Sequence, residues 1–336
     1  MMMLALMALG LSLLLNAALL RAPAGSCWVV LDQPNARSLH QRAVPRTGGL
    51  AIWVASLPLM AWIGAGQVHP VFVWGLIAAV LGVGSVSFLD DRGDVPVGVR
   101  LGVHVAAALV LVRIGFRLQL AGGSGWQSAG LDIVSTGSLV WGINLYNFMD
   151  GMDGFAGGMA VIGFSVLAAF GMQAGHAGFA EVNLVTAGAA LGFLAFNFPP
   201  ARLFMGDVGS APLGLLMVAS AFWGVRIGCF PLWAPILVFS PFLVDATVTL
   251  LARLFRGEPV WRAHRSHYYQ RLVQLGWGHR RTVLAEYALM LLAAASAWWG
   301  ITQSSLGQFV ILGAWMTLYG LVGFAVARLE TGVVHD

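Results

Sequence analysis

Two aspartates three residues apart interrupt a segment that is otherwise apolar. Asp150 and Asp153 lie in the run Asn147-Phe-Met-Asp-Gly-Met-Asp-Gly154, and this spacing puts both carboxylates on one face if the run is helical. An acidic side chain inside a bilayer costs about 3 kcal/mol, so such residues usually face a functional cavity or a membrane edge. Together with Asn147, these side chains could bind sugar hydroxyls or the edge of a base. The alternative is a glycine-rich kink that carries interfacial aspartates.

A second acidic cluster, Asp90-Asp91-Arg92-Gly93-Asp94, ends another apolar segment. Adjacent carboxylates at a helix end suit Mg²⁺ that is bound together with phosphate, because this ion takes oxygen ligands and keeps several waters. One carboxylate could instead act as a base. The structural alternative is a solvated helix end, so the cluster indicates a metal site, a catalytic base or a polar helix terminus.

A third cluster reads Phe204-Met-Gly-Asp207-Val-Gly-Ser210 and follows Asn197 and Arg202 in the chain. Asp207 stands where the next apolar segment starts, so it could cap a helix there, a role that aspartate fills well. Capping does not account for Asn197, Arg202 and Phe204 in the same stretch. We therefore expect this segment to bind a ligand.

Two basic segments could hold phosphate groups. The first carries Arg42 and Arg46 just before a pair of glycines, and backbone N–H groups beside arginine suit a phosphate. The second carries Arg265, His267 and Arg271, which could clasp a pyrophosphate. The alternatives are an ordinary basic loop for the first segment and, for the second, a basic amphipathic segment lying on anionic lipid.

The composition excludes a soluble protein. Of the 336 residues, 59% are hydrophobic and 10% are charged, and the mean hydropathy is +0.82. A soluble domain carries roughly 25% charged residues, so we expect an integral membrane protein. The net charge is only +4, and no basic run suggests binding to nucleic acid. The two cysteines, Cys27 and Cys229, are isolated, which excludes a disulfide framework.

Apolar segments of spanning length, roughly 17–25 residues, recur along the whole chain. We predict an all-α, polytopic integral membrane protein of about 11 transmembrane helices that forms a single transmembrane domain over residues 1–336. The predicted spans are 2–20, 48–66, 71–89, 99–120, 132–149, 154–173, 182–198, 208–225, 231–252, 283–300 and 307–327.

The basic residues predict the orientation of these helices. If the N-terminus is outside and the spans alternate, fifteen of the 18 basic residues, all of them arginine, fall on the inside. Cytoplasmic loops of membrane proteins carry such an excess. The acidic clusters fall on the same side. We therefore predict a periplasmic N-terminus, a cytoplasmic C-terminus and an active face in the cytoplasm.

Taken together, these motifs resemble those of a known family, the polyprenyl-phosphate N-acetylhexosamine-1-phosphate transferases of glycosyltransferase family 4. The resemblance runs in order from about residue 37 to 278 and so covers most of the chain. The motifs that carry it are Pro45-Arg-Thr-Gly-Gly49, Asp90-Asp91, Asn147-x-x-Asp150-Gly-x-Asp153-Gly and Phe204-x-Gly-Asp207-x-Gly-Ser210.

The resemblance implies a reaction and its partners. A UDP-N-acetylhexosamine in the cytoplasm would donate its sugar 1-phosphate to undecaprenyl phosphate in the bacterial inner membrane, and UMP would leave. The cofactor would be Mg²⁺, with Mn²⁺ as a substitute. A homodimer is compatible with this activity, which needs no nucleic acid.

The resemblance also implies roles for single residues. Asp207 and Asp91 are similar to metal ligands, and Phe204 is similar to a ring that stacks on uracil. The residues similar to catalytic groups are Asp90, Asp91, Asp207 and His267. The residues similar to substrate contacts are Asn147, Asp150, Asp153, Asn197, Phe204, Arg202, Arg265, Arg271, Arg42 and Arg46.

The fifth predicted inside loop, residues 253–282, departs from the peptidoglycan enzymes of this family. Muramyl-pentapeptide transferases carry three successive histidines there, whereas this chain has His267-Tyr-Tyr-Gln270. This version resembles enzymes that initiate O-antigen or other surface polysaccharides, so we expect a role in lipopolysaccharide synthesis. The alternatives are a phospho-N-acetylmuramoyl-pentapeptide transferase and, from a different class, a secondary transporter with broken helices. The polar clusters lie at one face rather than at the midplane, which favours the transferase.

Overall fold

The computed structural model describes residues 1–23, 26, 28–32, 43–66, 70–119, 125–259 and 264–333. This part of the chain is mostly helical, as a bilayer requires, because a helix satisfies its backbone N–H and C=O groups within its own segment. The helices are α1 (Met2–Arg21), α2 (Gly48–Ala65), α3 (Pro70–Arg92), α4 (Val97–Ile114), α5 (Trp126–Phe148), α6 (Phe155–Gln173), α7 (Ala177–Asn197), α8 (Asp207–Arg226), α9 (Trp233–Val238), α10 (Ser240–Phe255), α11 (Tyr268–Leu272), α12 (Gly278–Gly300) and α13 (Ser305–Val333).

Two smaller elements complete the described chain. A short antiparallel ribbon pairs β1 (Leu31–Asp32) with β2 (Val44–Pro45) just before α2. A π-helical turn, Val273–Trp277, joins α11 to α12. The ribbon and the turn both lie in segments between predicted spans.

Nine helical segments of the described chain are long and apolar enough to cross a membrane. They are α1 to α4, α6 to α8, α13 and the continuous stretch Tyr268–Gly300, which joins α11, the π-helical turn and α12. The prediction of an all-α, polytopic membrane protein is confirmed. The exact number of spans and the orientation of the termini stay predictions.

Two of the predicted spans have a different form in the structure. The span predicted at 231–252 is interrupted at Phe239, because Pro241 has no N–H to donate to the preceding turn, and the Leu237 carbonyl instead accepts the Ser240 hydroxyl at 2.7 Å. The span predicted at 132–149 lies within α5, whose 23 residues reach about 34 Å. Polar residues such as Asp132 make α5 less apolar than the nine segments.

Helix α8 forms the centre of the bundle, since it is the most buried of the nine segments. Two glycine pairs allow other helices to approach it closely. Gly49 of α2 lies against Gly209 of α8, and Gly142 of α5 lies against Gly214 of α8. A Cβ atom on these glycines would collide with the opposite backbone, which is the usual reason for small residues where membrane helices cross.

The helix ends that carry the polar motifs meet around the start of α8. The Gly49 N–H at the start of α2 donates to the Met205 carbonyl at 2.8 Å, and Asn147 at the end of α5 donates to Ser210 Oγ at 3.1 Å. Helices α2, α4, α6 and α8 begin at this end, and α3, α5 and α7 finish there. The fold therefore gathers motifs that are far apart in sequence.

Candidate active site

Asp91 holds the first turn of α8 in place. Its carboxylate accepts the backbone N–H groups of Asp207 at 3.3 Å and Val208 at 3.0 Å, and Asp91 is only 3% exposed. The first N–H groups of a helix have no partner within the helix, so a buried carboxylate there satisfies them. The Arg46 guanidinium lies 3.6 Å from Asp91 Oδ1 and donates to the Asp91 carbonyl at 2.5 Å. Asp91 thus joins the end of α3, the start of α8 and the loop before α2.

Gly206 makes the turn into α8 possible. Its φ is +71°, in the left-handed region that favours glycine. A Cβ atom at this position would collide with the Arg46 carbonyl and would lie 2.8 Å from Asp91 Oδ2. The close approach of these three residues therefore depends on glycine.

We expect Gly206→Ala to destabilise the protein more than Gly228→Ala does. Gly228 has a similar φ of +76° but no atom within 4 Å of an added Cβ, so its substitution costs only the backbone strain, roughly 1–2 kcal/mol. Gly206→Ala adds the collisions, a further cost of roughly 1–3 kcal/mol. Thermal unfolding in detergent measures both variants, and equal melting temperatures would contradict this account of the turn.

Arg100 connects two carboxylates at the mouth of the site. Its Nη1 atom pairs with Asp90 Oδ2 and lies 3.8 Å from Asp207 Oδ2. Asp90 also accepts the Val95 N–H at 3.0 Å, which closes the turn between α3 and α4. The Asp207 side chain is 37% exposed. Asp207 is therefore open to a ligand, whereas Asp91 is not.

A cavity of about 160 Å³ opens beside Asp207, between α3, α4, α5 and α8. Its wall has a polar side and an apolar side. The polar lining residues are Ser87, Arg100, His104, Asn144, Asn147 and Asp207, and the apolar ones are Val97, Leu101, Ile143, Phe148 and Ala211. A ligand here would meet charge on one side and hydrocarbon on the other.

Asp150, in the loop between α5 and α6, adds a carboxyl group to those of Asp90, Asp91 and Asp207. Burial, and then the negative charges of Asp207 and Asp91, raise the pKa of Asp150 well above its usual value. In the part of the chain that the structure describes, the carboxylates of Asp90, Asp91 and Asp207 pair with Arg46 and Arg100, and Asp150 adds a fourth carboxyl group beside Asp207 and Asp91. A site with this negative excess attracts a cation and repels an anion that arrives without one.

Asp153 and Asn197 hold the signature loop, residues 149–154 between α5 and α6, to its neighbours. Asp153 Oδ2 accepts the Ala201 N–H at 2.9 Å, and Oδ1 lies 2.9 Å from Nδ1 of His279. Asn197 accepts the Gly154 N–H and donates to the Leu203 carbonyl, both at 2.9 Å. These two residues, predicted to contact substrate, already have protein partners for their polar atoms in the structure.

Two tyrosines from the C-terminal part of the chain also contact this loop. Tyr269 of α11 donates its hydroxyl to the Phe148 carbonyl at 3.2 Å, and Tyr287 of α12 donates to the Gly154 carbonyl at 2.6 Å. Together with His279, they fix both ends of the segment that carries Asp150. These contacts could not be predicted, because nothing in the spacing of α12 shows that it packs against residues 148–154.

Asp245 is a buried acidic residue that the sequence analysis missed. It is 7% exposed and accepts the backbone N–H groups of Tyr268 at 3.0 Å and Tyr269 at 3.2 Å. His267 Nδ1 lies 3.2 Å from Asp245 Oδ1, and His267 is itself only 2% exposed. Asp245 stands inside a predicted span, and an acidic residue there is a signal that could have identified it.

The predicted arginines have several different environments. Arg46 lies in the site, as described, and Arg42 lies outside the described residues. Arg265 and Arg271 line a separate cavity of about 340 Å³. There, Nε and Nη2 of Arg271 donate to the two carboxylate oxygens of Glu330, both at 2.5 Å. Arg202 lies 5.0 Å from the centre of the Phe196 ring.

Phe204 belongs to the same loop as Asp207 and is half-buried. Its N–H donates to the Pro45 carbonyl at 2.7 Å, which ties the loop before α8 to the loop before α2. Its backbone therefore has a structural role. Stacking of its ring on uracil stays a prediction.

A magnesium ion fits Asp207 best. In the described part of the chain, no three His, Cys, Asp or Glu side chains are grouped so that they could hold a metal ion by themselves. Mg²⁺ usually binds through one or two carboxylates together with waters and substrate phosphates, so a complete protein cage is not required. Asp207 has an exposed carboxylate, whereas both Asp91 oxygens already accept N–H groups. The metal roles of both residues stay predictions.

Comparisons with known proteins agree with the residue pattern. The family model described as glycosyl transferase family 4 matches residues 73–225. The chain is 33% identical to a decaprenyl-phosphate N-acetylglucosaminephosphotransferase of Mycolicibacterium smegmatis, over 86% of this chain and 81% of that protein. It is 29% identical to a Bacillus subtilis protein named a probable undecaprenyl-phosphate N-acetylglucosaminyl 1-phosphate transferase, over 80% and 76% of the two chains. It is 28% identical to a phospho-N-acetylmuramoyl-pentapeptide-transferase of Geobacillus thermodenitrificans, over 76% and 83%.

Proposed function

The chain belongs to the polyprenyl-phosphate N-acetylhexosamine-1-phosphate transferases of glycosyl transferase family 4, and on that premise we propose that it transfers the sugar 1-phosphate of a UDP-N-acetylhexosamine to undecaprenyl phosphate. The observation that carries this proposal is the meeting of Asp207, Arg100 and Asn147 at a cavity that is polar on one side and apolar on the other. A soluble, charged donor and a lipid-borne acceptor need a site of this kind.

The reaction exchanges one phosphoanhydride for another. An oxygen of the acceptor phosphate attacks the β-phosphorus of the donor and forms a new P–O–P bond. The bond between the β-phosphorus and the bridging oxygen breaks, and that oxygen leaves with the α-phosphate as part of UMP. The lipid retains a pyrophosphate that carries the sugar.

The site residues supply positioning and charge, which perform most of the work in phosphoryl transfer. Arg100 reaches both Asp90 and Asp207, so its guanidinium is placed to face phosphate oxygens at the cavity mouth. Asp91 fixes the first turn of α8, and through it the position of Asp207. Asn147 donates to Ser210 Oγ in the first turn of α8 and lines the cavity together with Asp207.

We propose Mg²⁺ as the cofactor, held by Asp207. When bound, Mg²⁺ neutralises charge on the phosphates and polarises their oxygens. Without a cation, the negative excess of the site would repel a pyrophosphate. The support for this assignment is the exposure of the Asp207 carboxylate and the grouping of Asp90, Asp91 and Asp207 around Arg46 and Arg100.

We place the site at the cytoplasmic face of a bacterial inner membrane. The distribution of arginine supports this orientation, because the helix ends that surround Asp207 belong to the predicted inside segments. UDP-sugars are cytoplasmic, so the donor would meet the acceptor at the inner leaflet.

We further propose that the product initiates O-antigen or another surface polysaccharide. The support is the fifth loop, where Tyr268 and Tyr269 follow His267. Tyr269 packs against Phe155 with ring centroids 4.8 Å apart and donates to the Phe148 carbonyl, so the tyrosine contributes to the structure of the signature loop. The pentapeptide transferase relative keeps the peptidoglycan substrate as the competing assignment.

A donor panel tests the proposed function. Purified protein is incubated with Mg²⁺, undecaprenyl phosphate and, in separate reactions, UDP-N-acetylhexosamines and UDP-N-acetylmuramoyl-pentapeptide. We expect UMP release with at least one N-acetylhexosamine donor, no release with the pentapeptide donor, and loss of release when EDTA is added. If only the pentapeptide donor gave UMP release, the surface-polysaccharide assignment would be overturned. If none of the donors gave UMP release, the transferase assignment would be overturned.

A further inference from the structure

A second cavity, of about 340 Å³, opens between α10, α11 and α13. Its charged lining residues are three arginines and one glutamate, namely Arg256, Arg265, Arg271 and Glu330. In the described chain, no residue that lines this cavity also lines the cavity beside Asp207. The proposed transfer reaction therefore gives this basic cavity no role.

Helix α11 presents different faces to the signature loop and to this cavity. Tyr269 packs against Phe155 of α6, with ring centroids 4.8 Å apart. The preceding residue, Tyr268, lines the cavity, and its ring centre lies 4.7 Å from the guanidinium carbon of Arg271. Arg271 also pairs with Glu330 of α13. The cavity is thus built by the C-terminal helices and lies on a face of α11 other than the one that contacts the signature loop.

The arginines around the cavity outnumber the glutamates. Glu258 pairs with both Arg253 and Arg256 at 2.8 Å, so one carboxylate serves two guanidinium groups. The carboxylate of Glu330 pairs with the arginine of α11. Since Arg265 also lines the cavity, four arginines stand here against two glutamates in the described chain. This positive excess attracts an anion, and the 58% exposed side chain of Arg256 is within its reach.

The cavity lies towards the predicted inner face of the membrane. Helices α10 and α13 are joined by the Ser240 and Tyr319 hydroxyl groups, which are 2.6 Å apart. The lining residues Ala252 and Glu330 lie roughly 17 Å further along their helices, and there the cavity separates α10 from α13. Both helices lead into segments that the arginine distribution places inside. The basic groups therefore lie near the expected level of the lipid head groups.

The outer surface beside the cavity is apolar. Val248, Leu251 and Phe255 follow one another at helical spacing on α10, and they are 42%, 45% and 85% exposed. On α13, Leu321 and Phe324 are both 61% exposed. A helix with an apolar face and basic residues suits the boundary between head groups and acyl chains. A ligand here would place its charge in the cavity and its apolar part against α10 and α13.

We propose that this cavity binds the phosphate group of an anionic phospholipid of the inner leaflet, such as phosphatidylglycerol, whose acyl chains lie against α10 and α13. Basic pockets between membrane helices on the cytoplasmic side recognise such head groups, and arginine matches the geometry of phosphate oxygens. The bound lipid would join residues 253–282 to α13. Arg265 and Arg271 would then hold a structural lipid rather than the pyrophosphate of the donor.

Native mass spectrometry of the full chain in detergent tests this proposal. Dioleoyl phosphatidylglycerol and dioleoyl phosphatidylcholine, which share the same acyl chains, are titrated separately. We expect the wild type to retain one phosphatidylglycerol at concentrations at which phosphatidylcholine does not bind. Arg256→Gln and Arg265→Gln should each raise the concentration of phosphatidylglycerol for half occupancy at least about tenfold, as for one lost hydrogen bond to a charged group. Arg265→Lys keeps the charge and should lose less affinity.

Arg280→Gln is the matched control. Arg280 belongs to the same loop and is exposed, but it lines neither cavity, so its loss should not change the occupancy. Melting temperatures without added lipid verify that each variant is folded.

Three results would each overturn the proposal. They are equal binding of the two lipids, an equal loss of affinity in Arg280→Gln, and displacement of phosphatidylglycerol by a UDP-N-acetylhexosamine or by a lower concentration of undecaprenyl phosphate. The last result would make the cavity part of a substrate site. The assay needs no turnover, so its outcome is independent of whether the protein releases UMP.

Discussion

Replacing Asp207 with asparagine should lower the rate of UMP release by about a thousandfold without unfolding the protein. Removal of one group that stabilises developing charge typically costs a factor of 10²–10³, and Asp207 is also the proposed ligand of the cation. The fold should tolerate the change, because the first N–H groups of α8 are held by Asp91 rather than by the Asp207 side chain. Activity and the melting temperature in detergent are measured on the same preparation.

Asp94→Asn is the matched control for this substitution. Asp94 belongs to the acidic cluster at the end of α3 but is exposed, so its loss should change neither activity nor melting temperature. If Asp207→Asn kept wild-type turnover, or if Asp94→Asn lost as much activity as Asp207→Asn, the assigned role of Asp207 would be wrong.

Replacing Asp91 with asparagine should lower both the activity and the stability. Asparagine has one carbonyl oxygen, so it cannot accept both N–H groups of α8 and interact with Arg46 as the carboxylate does. Leaving a buried donor unsatisfied costs roughly 1–3 kcal/mol. We expect a lower melting temperature and, because the start of α8 shifts with Asp207, at least about a hundredfold loss of UMP release.

The two aspartate variants should therefore differ in what they change. Asp207→Asn should lower the rate of UMP release at an unchanged melting temperature, whereas Asp91→Asn should lower both. Measuring the rate of UMP release against Mg²⁺ concentration adds a further comparison. Loss of a cation ligand, as proposed for Asp207→Asn, raises the Mg²⁺ concentration needed for the half-maximal rate. The same melting temperature for Asp91→Asn and wild type would show that its carboxylate does not hold α8.

The convergence of the acidic motifs could be predicted from the sequence. Apolar segments of spanning length alternate in direction, so motifs separated by two spans return to the same side. That rule places Asp91, Asp150 and Asp207 at one end of the bundle, as the structure has them. The small size of Gly49 and Gly209 then lets α2 and α8 approach closely and bring their motifs together.

The individual contacts could not be predicted, because they depend on how helices pack side by side. In the sequence, Arg100 is one of the fifteen arginines that predict topology, and only the structure shows that it lies between Asp90 and Asp207. The structure shows that Asp153 and Asn197 each hold neighbouring loops, which the sequence does not indicate, and their contacts to substrate stay predictions. Spacing along the chain reports which face a side chain occupies, but it does not report the partner on the next helix.

The partners of Arg271 and His267 in the fifth loop could not be predicted either. Arg271 was grouped with His267 by proximity in sequence, yet its guanidinium pairs with Glu330 of α13. His267 instead packs beside Asp245 of α10. A short helix, α11, separates the two residues onto different sides, and the composition of the loop gives no sign of that division.

Following the donor's β-phosphate tests the central claim most directly. The protein is given a UDP-N-acetylhexosamine radiolabelled at the β-phosphate, together with undecaprenyl phosphate and Mg²⁺, and the products are separated into aqueous and organic phases. A sugar 1-phosphate transferase moves the label into the lipid phase and leaves unlabelled UMP in the water. Label that stays in the aqueous phase as UDP while the sugar alone reaches the lipid would contradict the account.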